Sequence, residues 1–424
     1  MPMGQREIVQ DIVQPLAIYI HWPFCRSLCP YCHFNRYVVD DVDEAAWERA
    51  FISELNYWKN RVGNRNVVSI FFGGGTPSLM SPDLVGHILK TIYALWNVVD
   101  DVEITLEMNP TDQEKAGHFF HAGINRISMG VQSFHDETLA FLGRNHRVSD
   151  IQAALNHLKY VGLRYSFDLI YAHKNHQDHQ QWGTELTLAT PWIDDHVSIY
   201  QLTYEMGTPF YKKRHQELSD ESVLHLESMT DEAFSPLGLQ RYEISNYAKP
   251  GATSIHNTMY WTYKDFLGLG PGAHGRISTH DAHGRTIKMA THNRGLPDQW
   301  MDSVNTHGHG LILDQALTRS DRLQEQFLMG LRLQSGLDLN AVLDAGECLH
   351  PELIQRIHHC IQADLVVAAD IPLASASASA GVLPPLILSN KGRCVLNSVV
   401  DFLCRGPMVM AVERHTVDGG LLII

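Results

Sequence analysis

A chain of 424 residues is too long for one ordinary hydrophobic core and suits an α/β barrel followed by a smaller domain. Its 44% hydrophobic and 19% charged residues are those of a soluble globular protein, and a net charge of −14 with only 33 Lys and Arg argues against a broad nucleic-acid footprint. No apolar run of about 18 residues is present to span a membrane, and Met1 to Gln14 is polar without a secretory core, so a cytoplasmic protein with reduced thiols is expected.

Residues 1–15 read as a leader and Leu16 to Ile20 as the first strand. The loop after that strand holds Cys25, Cys29 and Cys32, spaced C-x3-C-x2-C. An odd number of thiols cannot pair off, and the remaining cysteines, Cys348, Cys360, Cys394 and Cys404, lie more than 300 residues downstream. Close thiolates of this kind hold iron–sulfur clusters, normally four to a cluster, so three imply an iron left open for a non-protein ligand. The alternatives are a zinc knuckle, in which His33 would be a strained fourth ligand, or three unrelated buried thiols.

The chain then alternates helix-like and strand-like segments, as parallel βα units do. Trp47, Phe51, Leu55 and Trp58 fall on one face of a helix over Asp43 to Arg61. Val67 to Phe72 is the second strand; it ends in Gly73-Gly74-Gly75-Thr76-Pro77, whose backbone amides could cradle a small charged ligand or simply make a tight turn. Ser81 caps a helix that opens with Pro82 and runs to about Trp96. Val102 to Met108 is the third strand, with Thr111 capping the next short helix, and Ile124 to Met129 is the fourth. A helix over Ser149 to Tyr160 precedes a fifth strand, Tyr165 to Ile170, and the sixth is Val197 to Leu202. Six such strands make an open, partial parallel (β/α)6 barrel over residues 16–240, with its site at the C-terminal mouth.

The cysteine spacing, with the glycine run behind it, resembles the radical S-adenosylmethionine (SAM) superfamily, in which the open iron of a [4Fe-4S] cluster chelates SAM. In more detail the chain is similar to oxygen-independent coproporphyrinogen III oxidases and their relatives. That likeness implies that Cys25, Cys29 and Cys32 hold the cluster and that Tyr19 lies against it. It further implies that Gly74, Gly75 and Thr76 hold the SAM amino group, while Glu107, Gln132, Arg144 and Asp168 contact its sugar and amino-acid parts. One departure stands out: after Tyr171 the family usually has a glycine-containing turn, whereas this chain has Ala172-His-Lys-Asn-His-Gln-Asp-His179, expected to be a solvated loop.

Residues 241–314 are expected to close the barrel, and within them His256-Asn-Thr-Met-Tyr260-Trp261 is similar to the HNxxYW signature of the HemW branch, whose members are heme chaperones. A histidine flanked by aromatics could ligate heme iron, or could be a hydrogen-bonded core residue. Residues 315–404 resemble the mainly helical, winged-helix-like C-terminal domain of the family, with helices over Arg319 to Leu333, Pro351 to Ala363 and Val395 to Leu403. The run at 374–380 reads as a low-complexity loop, and 405–424 as a tail.

Three functions follow from the resemblance: a heme chaperone, a SAM-radical decarboxylase of coproporphyrinogen III, and a radical SAM methyltransferase. The decarboxylase branch would carry cysteine where this chain has Phe34, which favours the chaperone. The implied cofactors are the [4Fe-4S] cluster, SAM and heme. The implied partners are a heme-accepting protein and an electron donor, with no nucleic acid and no membrane-spanning segment.

Overall fold

Apolar runs that end in glycine or polar turns become the strands of one large sheet. A computed structural model describes residues 14–213, 217–280, 286–367, 383–411, 414–417 and 420–423. The expected leader therefore lies almost wholly outside the described residues, as does the low-complexity run at 374–380.

The six expected strands are present as β1 (Pro15–Trp22), β2 (Asn66–Gly74), β3 (Asn97–Met108), β4 (Arg126–Gln132), β5 (Arg164–Tyr171) and β6 (His196–Gln201). They pair in parallel in that order. β3 begins earlier than its apolar run because the exposed Asn97 and half-buried Val98 still pair with Asn66 and Val67. Downstream come β7 (Gln240–Arg241), β8 (Asn246–Ala248), β9 (Asp265–Leu269), β10 (His274–His280), β11 (Thr286–Asn293) and β12 (Leu311–Ala316). The sheet order is β12-β11-β10-β9-β1-β2-β3-β4-β5-β6-β8-β7. β9 thus adds a seventh parallel strand beside β1, and antiparallel strands lengthen both edges.

Alternation along β1 sets the two faces. Leu16, Ile18, Ile20 and Trp22 join a core shared with the helices Glu44–Val62 and Pro82–Leu95, while Ala17, Tyr19 and His21 turn to the inner face. A second core gathers Leu323, Phe327, Leu339, Leu353, Ile357 and Val399 from the C-terminal helices. The helix expected over Arg319 to Leu333 stops at Gly330, packed so closely that a Cβ there would lie 2.4 Å from Leu337 Cδ1; the turn that follows carries Arg332.

Other local readings change. Asn109, not Thr111, caps the short helix Pro110–Lys115 by accepting from Thr111 N–H at 3.2 Å. The histidine loop after β5 is not solvated around His173 and His176, which are 1% and 2% exposed with ring centroids 3.7 Å apart. Ala172 adopts φ 62°, turning the chain inward so that His176 packs 5.1 Å from Trp182. Burial then holds both imidazoles neutral, pushing His173 down to about 4 and His176 to about 2. Among the described residues no helix is long and apolar enough to cross a membrane.

One buried carboxylate ties the first helix to the added strands. Glu54 accepts from Gly270 N–H at 2.9 Å, Gly310 N–H at 3.0 Å, Asn293 Nδ2 at 2.9 Å and Trp300 Nε1 at 3.3 Å. Burial pushes its carboxyl up to about 7, although these donors oppose the shift. Glu54→Ala strips four buried donors of their acceptor at about 1–3 kcal/mol each, so a loss of about 4 kcal/mol or more is expected. Denaturant titration of the variant checks it; a midpoint equal to the wild type's would remove this residue from the architecture.

Candidate functional site

The site is built where β1 to β6 end. β1 runs out at Trp22, and the chain crosses the rim before returning beside itself, with Phe24 bridging Tyr37. Cys25 N–H donates to Tyr37 O at 2.9 Å, and Tyr37 N–H donates to Pro23 O at 2.7 Å. The loop so closed carries Cys25, Cys29 and Cys32. Cationic and hydroxyl donors approach it: Arg36 Nη2 donates to Cys29 O at 2.9 Å, Arg144 Nη1 lies 3.4 Å from Cys29 Sγ, and Thr76 Oγ1 lies 3.5 Å from Cys25 Sγ. Burial nevertheless outweighs them and holds the Cys25 and Cys32 thiols above their ordinary value. Among the described residues the thiols do not converge on one point as ligands of a single ion would. Thiolates that each bind a different iron of a cluster need not converge.

Beside the loop opens a cavity of ≈ 570 Å³, the size of a small-molecule site. Ten of the residues implied by the resemblance line it: Cys25, Cys29, Cys32, Gly74, Gly75, Thr76, Glu107, Gln132, Arg144 and Asp168. Gln132 takes φ 74° at the end of β4, and Arg144 Nη2 donates to Gly130 O at 3.0 Å on the same strand. Tyr31, Tyr200 and Arg332 also line the cavity; the sequence carries no local signal for Arg332, which arrives from the second core.

Two carboxylates face each other here. Burial, then the neighbouring Asp168, raises the Glu107 carboxyl to about 8; burial raises Asp168 to about 6, opposed by Ser198, Arg126 and Arg144. Asp168 Oδ1 is buried without a hydrogen-bond partner among the described residues, an acceptor suited to a ligand hydroxyl. A cationic ligand would relieve the pair, and SAM offers both a cation and ribose hydroxyls.

The glycine run works differently from expectation. Gly74 N–H donates to Glu107 Oε2 at 3.0 Å, Gly75 N–H to Trp22 O at 2.7 Å and Thr76 N–H to Phe24 O at 2.8 Å, so these amides are already engaged. What the segment can offer an ammonium is oxygen, the complementary partner. Gly74, at φ 115°, is required because a Cβ would lie 2.5 Å from the His21 ring.

Two implied residues lie elsewhere. Tyr19 does not line the cavity; its hydroxyl meets His21 Nδ1 at 3.0 Å and its ring stacks on Phe71. His256 is 2% exposed, with Nδ1 at 2.9 Å from Ser69 Oγ and Nε2 at 3.0 Å from Tyr260 Oη, while its N–H donates to Glu103. Ser69 precedes Gly74 by five residues, roughly 16 Å of strand, so His256 sits at the floor of the barrel rather than the mouth. Both ring nitrogens are thus engaged and the ring is buried, the arrangement of a hydrogen-bonded core histidine.

Residues 19–184 match the model of the radical SAM superfamily. The chain is 38% identical over 335 residues to radical S-adenosyl methionine domain-containing protein 1, mitochondrial, of Bos taurus, covering 76% of this chain and 74% of the relative. It is 32% identical over 361 residues to heme chaperone HemW of Haemophilus influenzae, covering 83% of this chain and 92% of the relative. Coproporphyrinogen III oxidase (HemN) from Escherichia coli shares the fold, with a TM-score of 0.73 at 21% identity over 93% of this chain and 91% of that one.

Two outcomes follow from this geometry. Because the folded Glu107 carboxyl titrates near 8, above about 4.3 when unfolded, the cluster-free fold loses stability as pH rises through that window. Glu107→Gln should therefore match the wild type in thermal unfolding at acidic pH and melt above it at alkaline pH; a difference independent of pH contradicts the shift. His256→Ala should cost about 1–3 kcal/mol by stranding its buried partners, yet leave the Soret band of added heme unchanged. A shifted band would return His256 to the ligand role.

Proposed function

Because the chain belongs to the HemW family within the radical SAM superfamily, we propose that it binds heme and passes it to an acceptor protein, carrying a SAM-binding [4Fe-4S] cluster at its barrel mouth. The observation that carries this reading is the likeness to the Haemophilus influenzae heme chaperone across 92% of that protein's length. Phe34, where the decarboxylase branch would have a further cysteine, supports it.

In this reading Cys25, Cys29 and Cys32 hold three irons, and SAM takes the fourth. When bound, the cluster can supply one electron to SAM. The chain's own residues do the positioning. Carbonyl and hydroxyl oxygens of Gly74, Gly75 and Thr76 face the amino group. Arg144 offers a cation to a carboxylate, and Asp168 accepts from ribose hydroxyls through its unpaired oxygen. Glu107, held to Gly74 N–H, becomes a charged partner once a cation enters beside it. An external reductant is required for the cluster, so an electron donor belongs to the reading. We place the chain in a thiol-reducing compartment, the cytoplasm; the bovine relative carries a mitochondrial name.

The test is one anaerobic preparation reconstituted with iron and sulfide, assayed for heme binding, heme transfer and conversion of coproporphyrinogen III. Heme binding without conversion is expected; conversion would favour the decarboxylase, and neither would favour the methyltransferase. Cys25→Ala, Cys29→Ala or Cys32→Ala should abolish the cluster's visible absorption, whereas Cys360→Ala and Cys394→Ala should retain it. Unchanged absorption in the three loop variants would sink the cluster assignment.

A further inference from the structure

We propose that a small acidic electron-carrier protein docks on the outer flank of the cysteine loop, on the surface made by Leu28, Lys174 and residues 206–213. The proposal rests on the reading above, which requires an electron donor, and gives that donor a place. A donor needs two things from this chain: a landing surface against the cluster loop, and a position that leaves the mouth open for SAM.

The loop has such a side. Between Cys25 and Cys32 the cavity is lined by Arg26, Ser27, Cys29 and Tyr31, whereas Leu28 and Pro30 do not line it. Leu28 is 53% exposed, and Pro30, next to Cys29, is met by the chain that follows β6, where Phe210 N–H donates to Pro30 O at 3.1 Å. The buried Phe210 also stacks on Phe141 with ring centroids 4.9 Å apart, which fixes the short helix Pro209–Lys212 against the loop.

What this segment shows to solvent is apolar and basic. Met206 and Tyr211 are 81% and 48% exposed on either side of Phe210, and methionine and aromatic residues are types enriched where proteins bind proteins. Lys212 and Lys213 follow directly and are exposed, and Lys174 Nζ lies 4.7 Å from the centre of the Phe141 ring. None of these three lysines has a carboxylate within salt-bridge distance among the described residues, and Glu205 is the one acidic residue of 203–213. On a chain of net charge −14 this is a local reversal of sign, and it complements an acidic partner. The surface is small, drawn from one loop, one short helix and one further lysine. Electron-transfer encounters are of that scale, burying less than about 1,200 Å² in all. Met206, Tyr211 and the three lysines do not line the cavity, so carrier and SAM do not compete. The step served is a single-electron transfer, in which the carrier loses one electron and the cluster gains it, with no atom exchanged.

The test uses the cluster-reconstituted full chain with a flavodoxin, a small acidic flavin protein, as the probe. Oxidised flavodoxin has no electron to give and measures docking alone, by calorimetry; its hydroquinone measures reduction, by the loss of the cluster's visible absorption. Lys212→Glu combined with Lys213→Glu should weaken docking and slow reduction about tenfold or more at low salt, and the wild-type rate should fall steeply as ionic strength rises. Met206→Ala should weaken docking while keeping its salt dependence. Dithionite, which needs no docking surface, should reduce wild type and variants alike, and SAM should bind them alike, a separation that a damaged loop would not give. Should the double variant fail to fold, Lys174→Glu carries the same comparison. Docking and reduction unaltered in the lysine variants, or indifferent to salt, overturn the proposal and leave the chaperone reading standing. So does a loss of binding to anionic phospholipid vesicles, or of self-association, in place of lost carrier binding, since either gives the surface another occupant. A wild type that assembles no cluster overturns the cluster assignment with it.

Discussion

Asn35 turns back beneath the cysteine loop and donates its amide to Pro271 O at 3.0 Å and Gly295 O at 2.8 Å. Its own carbonyl sits 2.7 Å from His21 Nε2. A carbonyl can only accept, so that nitrogen carries the proton, and Nδ1 is left to accept from Tyr19 Oη. The same ring fills the space that a side chain at Gly74 would need. One imidazole therefore fixes the end of β1, the glycine run on β2 and the return of the cysteine loop. On the far side Gly272, at φ 73°, lets the turn after β9 approach so closely that a Cβ would lie 2.6 Å from Asn35 Nδ2. The position of three thiols thus depends on an amide and an imidazole that are themselves no part of any metal site.

The barrel treats its two ends differently. At the floor, charge is matched: Glu103 meets Arg164 Nη1 at 3.1 Å and accepts from Ser254 Oγ at 3.2 Å and His256 N–H at 3.1 Å, and Arg126 Nη2 donates to Ser166 Oγ at 2.7 Å. The helix Ile255–Trp261 plugs this end through those bonds and through Tyr260, whose ring lies 4.2 Å from Phe266. At the mouth the groups are left unmatched, with Glu107 and Asp168 opposed and an oxygen of Asp168 unpaired. Buried polar groups that satisfy one another make structure; an unpaired one that also lines a cavity, as Asp168 does, is poised for a ligand.

Much of this was legible in the sequence. Strand ends could be read because apolar runs stop at Gly73, Gly130 and the polar residues after Leu202, and the cysteine spacing marked the mouth without any fold. Three things were not legible. The seventh parallel strand, Asp265–Leu269, is only five residues long, and its partner β1 lies some 250 residues earlier in order, a pairing periodicity cannot express. The fate of His256 depended on Ser69 and Tyr260 converging on its two nitrogens, and residue types alone leave ligand and core histidine equivalent. The His173 loop read as polar because its composition is polar, yet the left-handed turn at Ala172 drives it inward.

Arg332 belongs to the turn beyond Gly330, where the second core begins to pack on the barrel, but its side chain ends in the mouth cavity. An anionic group bound there would touch both cores at once. Such a ligand binds the docked arrangement in preference to any loosened one, and linkage then returns the favour: whatever free energy it gains from Arg332 is added to the docking of the C-terminal helices on the sheet.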